Sequence, residues 1–348
     1  MKIAMISTPH IPSPPRGYGA SELIAGTLAE GLHRRGHTVR LFACPGSSTS
    51  VDELHTFPET SYARTYEQRE LIHVARALSE SQDCDLIHNH CIGAGPAFSN
   101  FAAIPFMTTL HYLHPLVFAH PDAPYIAVSD HQRRTLSNVN VVARIHNGID
   151  LRDFPLSRQR DDYLLFLGRF HPNKGADSAI DVAERLGRKL VIAAPAPPDD
   201  QRDWFEECIR PRLRGSIEWV GPVEGGQKAA LIGRAAASLV PIRWDEPFGL
   251  VIIEAMACGT PPIVMRRGAA PEIVVDGVTG FLVDDVRQMI EAVERASTVN
   301  PDTCRRHVQE NFSVEKMVDG YVRLFENYLM RSCARRTNTK LGTGTPSS

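Results

Sequence analysis

The feature that most constrains this chain is alternation. Short apolar runs, closed by glycine, proline or polar turns, are each followed by a longer stretch with helical spacing. Lys2–Ile6 is such a run. A Pro/Gly-rich loop follows, then a helix over about 21–35 with Ile24, Leu28 and Leu32 on one face. Gly36 ends that helix and HTVRLFAC is the next strand. DLIH (85–88), Pro105–Leu110 and YIAVS (125–129) continue the series, with an amphipathic helix over 64–81. After the polar segment LRDFPLSRQRDD the alternation restarts with YLLFLGRF and runs through KLVIAA, SIEWVG, ASLVPI and TPPIVM. GAAPEIV then opens a helix or turn, and a helix spans 285–298. Strands that are apolar throughout, joined by helices, build parallel sheets covered on both faces. With 348 residues there is material for two such domains. The expected organisation is a first domain over 1–155, a second over 156–312, a helix over 313–330 and a disordered tail over 331–348. The 313–330 helix carries Val314, Met317, Val318, Tyr321, Leu324, Phe325 and Leu329, a face long enough to need a partner, expected on the first domain.

Composition narrows the classes. Apolar residues make up 43% and charged residues 22%, as in soluble globular proteins. A net charge of -2 argues against strong nonspecific binding to nucleic acid. No apolar run approaches the ~18 residues that a membrane span needs. MKIAMIST is too short for a signal peptide and reads as the first strand. The 7 cysteines form no CxxC pair, which points to reduced thiols and a cytoplasmic location. Peripheral contact with a membrane finds only weak support, since no strongly basic amphipathic helix is present.

In parallel sheets, ligands gather beyond the carboxyl ends of strands. The loop after the first strand carries Gly17 and Gly19, where backbone can approach a phosphate closely, although the pattern is not GxGxxG. His88, His90, Cys91, His111 and His114 invite a metal reading, but their spacing fits no zinc set, and no metal is expected. Asp83-Cys84-Asp85 precedes its strand and reads as a solvated turn. His111 stands at a strand's carboxyl end and can donate to a hydroxyl or phosphate. In the second half, Arg169 and Lys174 project two cations from the loop after YLLFL, a forked donor and a point charge suited to a diphosphate. The stretch Asp245–Gly259, DEPFGLVIIEAMACG, holds Glu246 and Glu254 eight positions apart. Continuous helix would turn them roughly 80° from each other, so they converge only if Glu246 precedes the helix. Pro247 is expected to open it and Gly259 to close it, leaving the amides of Phe248, Gly249 and Leu250 as an anion site. The plain alternative is a capped helix with Glu254 in solvent.

These motifs, in this order, resemble the retaining glycosyltransferases of family four. The likeness covers nearly all residues before the tail. It rests on Gly17 to Glu22, HNGID, GRFHPNKG, and Glu246 with seven residues to Glu254. It implies an α/β GT-B architecture, two Rossmann-like domains whose parallel sheets face an interdomain cleft. It also implies roles. Arg169 and Lys174 would bind the donor diphosphate, and Glu254 would accept from the ribose hydroxyls. Glu246 would face the donor sugar, near the amides of Phe248, Gly249 and Leu250. Gly17 and Gly19 would approach the phosphates, and His111 would stand by the reacting centre. The implied activity is same-face transfer from a nucleotide sugar, a UDP-sugar favoured, to a small-molecule, glycan or lipid hydroxyl, with no cofactor. The loop ending GYGASE also looks like members that glycosylate small molecules, including pterin glucosyltransferases. Two departures bear on loop shape: Gly19-Ala20 stands where the family usually has Gly-Gly, and GAAPE, with Ala269-Ala270, replaces the usual Gly-Gly-x-Pro-Glu; Ala20 would be strained at a positive φ. Two alternatives remain open from sequence, a sugar-nucleotide epimerase and a nucleotide-sugar-binding module without turnover.

Overall fold

The computed structural model describes residues 1–15, 17–57 and 65–341, backbone only from 332 onward. Among the described residues, thirteen strands form two sheets, parallel throughout. The first holds β1 (Lys2–Ile6), β2 (Thr38–Ala43), β3 (Glu53–Thr56), β4 (Leu86–Asn89), β5 (Phe106–Leu110), β6 (Tyr125–Ala127) and β7 (Val141–Arg144), in the order β3-β2-β1-β4-β5-β6-β7. The second holds β8 (Tyr163–Leu167), β9 (Lys189–Ala193), β10 (Ile217–Gly221), β11 (Ala237–Val240), β12 (Pro262–Met265) and β13 (Phe281–Val283), in the order β10-β9-β8-β11-β12-β13. Each is a Rossmann-like sheet between helices, and together they make the GT-B fold.

This topology fixes where a ligand goes. In each sheet the order reverses once, between β1 and β4 and again between β8 and β11. Loops leaving neighbouring strands there diverge, and a crevice opens between them. The loops after β1 and β8 carry Gly19, Arg169 and Lys174. The loop after β11 carries Glu246.

The C-terminal helix, Val314–Leu341, belongs to the first core. Val314, Met317, Val318, Tyr321 and Phe325 are buried with Ile3, Met5, Leu28, Leu32 and Met107. The Tyr321 hydroxyl meets Thr109 Oγ1 at 2.9 Å. The helix extends past the expected end at 330 because no glycine or proline interrupts 331–341; residues 331–341 are therefore helix rather than tail. Residues 342–348 lie outside the described residues. The chain crosses between the sheets twice, side by side: Ile149 N donates to Phe312 O at 3.0 Å, and Val314 N donates to Ile149 O at 3.0 Å.

Three elements escape the sequence pattern. β3 alternates half-buried and exposed residues and has no apolar run. β13 is three residues long. The helix Pro301–Asn311 buries only Cys304 and Val308, yet it packs on the helix Leu250–Ala257. The helix expected over 64–81 spans Tyr66–Ser79, capped by Thr65 and Gln68; residue 64 lies outside the described residues. No helix among the described residues is long and apolar enough to cross a membrane.

Candidate functional site

The loop after β8 makes a one-turn helix at Pro172–Lys174, capped by the His171 side chain, which accepts from Asn173 N at 3.0 Å. Arg243 braces it from the neighbouring loop, its amide donating to Asn173 O at 2.8 Å. Lys174 Nζ then meets Glu246 Oε2 and lies 5.1 Å from the centre of the Trp244 ring. The Trp244 indole N–H donates to the same Glu246 oxygen at 2.9 Å. Arg169 lines the same cleft, and its Nε is buried with no hydrogen-bond partner. A buried guanidinium N–H without an acceptor is costly and suits a site awaiting an anion.

The helix carrying Glu254 begins at Leu250, three residues later than expected from Pro247. Gly249 caps it at φ 94°, a left-handed conformation that ends any helical path back to the proline. Pro247 and Phe248 therefore belong to the loop. Phe248 is buried against His146 and Phe312, with ring centres 5.7 and 5.9 Å away. Phe248, Gly249 and Leu250 still line the cleft beside Glu246. As expected, Glu246 precedes the helix and Glu254 lies inside it.

The strain expected from alanine does not arise. Ala20 is the first residue of the helix Ala20–Arg34, and the unusual backbone falls on Gly19, at φ 149°. In GAAPE the positive φ of 56° falls on Gly268, while Ala269 is right-handed at φ -80°. Gly268 has a second reason to be glycine. A Cβ there would lie 2.3 Å from Glu246 O, and Ala269 N donates to that oxygen at 3.0 Å. This loop thus sets the backbone of Glu246 from behind.

The other domain supplies the facing wall. Gly19, His111 and Tyr112 line a cleft of about 420 Å³ with Arg169, Lys174 and Glu246. His111 Nε2 is 2.8 Å from His90 Nδ1, and burial pushes the His111 imidazole down to about 4, so it is neutral at pH 7. His88 packs its ring 4.4 Å from that of His90, and its Nε2 meets Thr109 Oγ1 at 2.8 Å. Asp83 is bound to Lys2 and Arg40 at 2.5 and 2.7 Å, a turn that ties strand ends.

Continuous with the cleft, through Gly19 and Leu250, is a narrower cavity bounded by Leu167, Pro195, Pro222, Val223, Lys228 and Glu254, with Gly17 at its edge. Glu254 is 1% exposed. Its Oε1 accepts from Lys228 Nζ at 2.6 Å. Sequence reasoning passed over Lys228 because it sits in an ordinary helix, Gly225–Arg234, with no motif around it. Trp244 and Tyr18 also line the cleft; both lie in or beside motif loops, but neither carries the charge by which the other site residues were picked out. Arg16, between the prolines and Gly17, lies outside the described residues. Beside the cleft, Glu272 of GAAPE ties the domains together. It accepts from the amides of Asp130 and His131 at 2.7 and 2.5 Å and meets His146 Nε2 at 3.4 Å.

Known proteins are similar to this chain in sequence and fold. Residues 21–153 match Glycosyltransferase Family 4 and residues 161–298 match Glycosyl transferases group 1. An uncharacterised glycosyltransferase of Methanocaldococcus jannaschii is 26% identical over 73% of this chain and 78% of its own length. A D-inositol 3-phosphate glycosyltransferase of a Mycobacterium species is 27% identical over 68% of this chain and 64% of its own. Among solved structures, AviGT4, a glycosyltransferase involved in avilamycin A biosynthesis, superposes with a TM-score of 0.74 at 25% identity, covering 95% of this chain and 98% of that one. HepE of Anabaena, in complex with UDP and glucose, shares the fold with a TM-score of 0.75 at 18% identity, covering 94% and 100%. The family's two halves match in sequence order, and the cleft between them gathers the motif residues: the chain belongs to the family 4 glycosyltransferases, retaining enzymes of the GT-B fold that use nucleotide-sugar donors.

Proposed function

We propose that this enzyme moves a hexose from a UDP-sugar to a hydroxyl of a small-molecule acceptor, on the face from which the nucleotide leaves and without a metal ion. The observation that carries the reading is the meeting of Arg169 and Lys174 with Glu246 across from His111 in one interdomain cleft. Breaking the bond to the sugar builds negative charge on the diphosphate oxygen and positive character on the sugar ring. Arg169 and Lys174 stand ready for the first, supported by the amides at the start of the Leu250 helix, so charge stabilisation does not call for a cation from solution. Glu246, already held by Lys174 and Trp244, is suited to positioning the sugar hydroxyls rather than to attacking carbon. The leaving phosphate then takes the acceptor's proton on the same face. Neutral His111 offers the sugar a hydrogen bond without adding a competing charge. Closure over the donor excludes water and limits hydrolysis. Uridine is the base to try first, since fold-mates are known with UDP and UDP-glucose. Glycan and lipid acceptors belong in the same screen.

The test is release of nucleoside diphosphate from UDP-, ADP- and GDP-sugars, with and without an acceptor panel, before and after chelation. The expected outcome is acceptor-dependent UDP release that survives EDTA. An interconverted sugar nucleotide would turn the reading to epimerisation, and binding without release to a non-catalytic module. Abolition by EDTA, restored by a divalent ion, would overturn metal independence.

A further inference from the structure

Glu254 poses a problem that the donor chemistry alone does not solve. It lies inside an apolar helix, Leu250–Ala257, and is 1% exposed. One oxygen, Oε1, accepts from Lys228 Nζ at 2.6 Å, while Oε2 is buried with no hydrogen-bond partner. A buried carboxylate left half satisfied is costly. Lys228 comes from a different element, the helix Gly225–Arg234, and reaches Glu254 with its ammonium 5.7 Å from the centre of the Phe154 ring. Both residues line the same cavity, whose other walls are mostly apolar and include Leu167, Pro195, Pro222 and Val223. The cavity is therefore a mostly apolar slot lined by one carboxylate whose first oxygen is paired and whose second has no partner.

We infer that Lys228 is the positioning residue for the ribose of the donor. Its ammonium fixes the carboxylate in one rotation, so that Oε2 alone is offered to a ribose hydroxyl. Lys228 acts through Glu254, and its effect is specificity: it makes the pocket select nucleotides that bring a hydroxyl to that oxygen. Without Lys228 the carboxylate is free to turn away from the slot, and a ribose hydroxyl then gains little over a bare sugar carbon. Lys228→Arg keeps a cationic donor and preserves selection. Lys228→Met keeps the apolar stem and removes the charge. This inference rests on the proposed donor site.

The experiment compares binding of UDP and of 2′,3′-dideoxyuridine 5′-diphosphate by calorimetry, for wild type, Lys228→Met, Lys228→Arg, Glu254→Gln and the Lys228→Met/Glu254→Gln pair. Wild type is expected to prefer UDP by about tenfold or more, the range of a hydrogen bond to a charged group. Lys228→Met should bring that ratio to within about threefold of unity, as Glu254→Gln does, and the double variant should be no worse than Glu254→Gln alone. Lys228→Arg should keep the preference. A role in folding alone would lower both affinities together and leave the ratio unchanged. If Lys228→Met discriminates as wild type does, the inference is overturned while the donor site stands. If wild type binds UDP but ignores the ribose hydroxyls, the ribose role of Glu254 and the inference fall together. If wild type binds no nucleoside diphosphate, the donor site itself is wrong.

Discussion

Removing the Lys174 ammonium separates two roles whose sizes differ. In the folded protein Lys174 pairs with Glu246, the two side chains 22% and 17% exposed. A partly exposed pair of this kind is worth about 1 kcal/mol, and Glu246 keeps the Trp244 indole donor at 2.9 Å after the lysine is gone. The Lys174→Met stem can still cover the Trp244 ring. Stability should therefore fall by about 1 kcal/mol, a shift in Tm of roughly 2–4 °C or less for a chain of this size. The rate is another matter. A fixed donor facing charge that develops only in the transition state contributes about 2.7–4 kcal/mol, or roughly 100- to 1000-fold in kcat. The assay pairs thermal unfolding by circular dichroism with nucleoside diphosphate release at saturating donor. Expected is a folded, slightly less stable protein with turnover reduced by at least about 100-fold. Turnover within about threefold of wild type would refute the diphosphate role. A collapse in Tm would instead refute the claim that the pair is energetically minor.

Two further perturbations test the surroundings. Gly268→Ala places a Cβ 2.3 Å from Glu246 O at a φ of 56°, so the loop must move; an ångström of displacement costs about 100-fold in turnover, and near wild-type kinetics would show that Glu246 is not held from behind. Acid should destabilise the protein through His73, whose Nε2 meets Ser7 O at 3.0 Å and whose imidazole burial pushes down to about 4. The unfolded chain binds that proton near pH 6.5 and the folded one does not, so stability is present above 6.5 and is lost as pH falls toward 4. Glu70, pushed up to about 7 by burial, works in the opposite direction. For this reason the measurement is a difference: His73→Gln should shrink the loss between pH 7 and pH 5 in urea titrations by about 2 kcal/mol, and an unchanged loss would place the acid sensitivity elsewhere.

How much of this was legible in the sequence depends on how local each signal is. The buried strands announced themselves because a parallel strand covered on both faces is apolar at nearly every position, as β8 and β12 are. β3, half exposed at the sheet edge, and the polar helix Pro301–Asn311 have no such signature. The site residues nearest a glycine or proline turn, Arg169, Lys174 and Glu246, stood out by spacing. Lys228, Trp244 and His90 matter only through partners 26, 2 and 21 positions away, and for Lys228 and His90 that proximity is created by the fold. The helix start was misjudged for a related reason: both Pro247 and Gly249 are acceptable beginnings, and the choice is made by packing Phe248 between His146 and Phe312.

The return of the last helix to the first sheet has a consequence for biosynthesis. Residues emerge from the ribosome in order, so the amino-terminal lobe is made first but finished last. Until Val314–Phe325 arrive, the trough formed by Leu28, Leu32 and Ile145 has nothing to close it. A fragment ending near 155 would expose that trough permanently, whereas the carboxy-terminal lobe is whole before the final turn of chain is made. A chain cut just before Ser313 would thus leave the amino-terminal lobe open while the second core keeps its own residues.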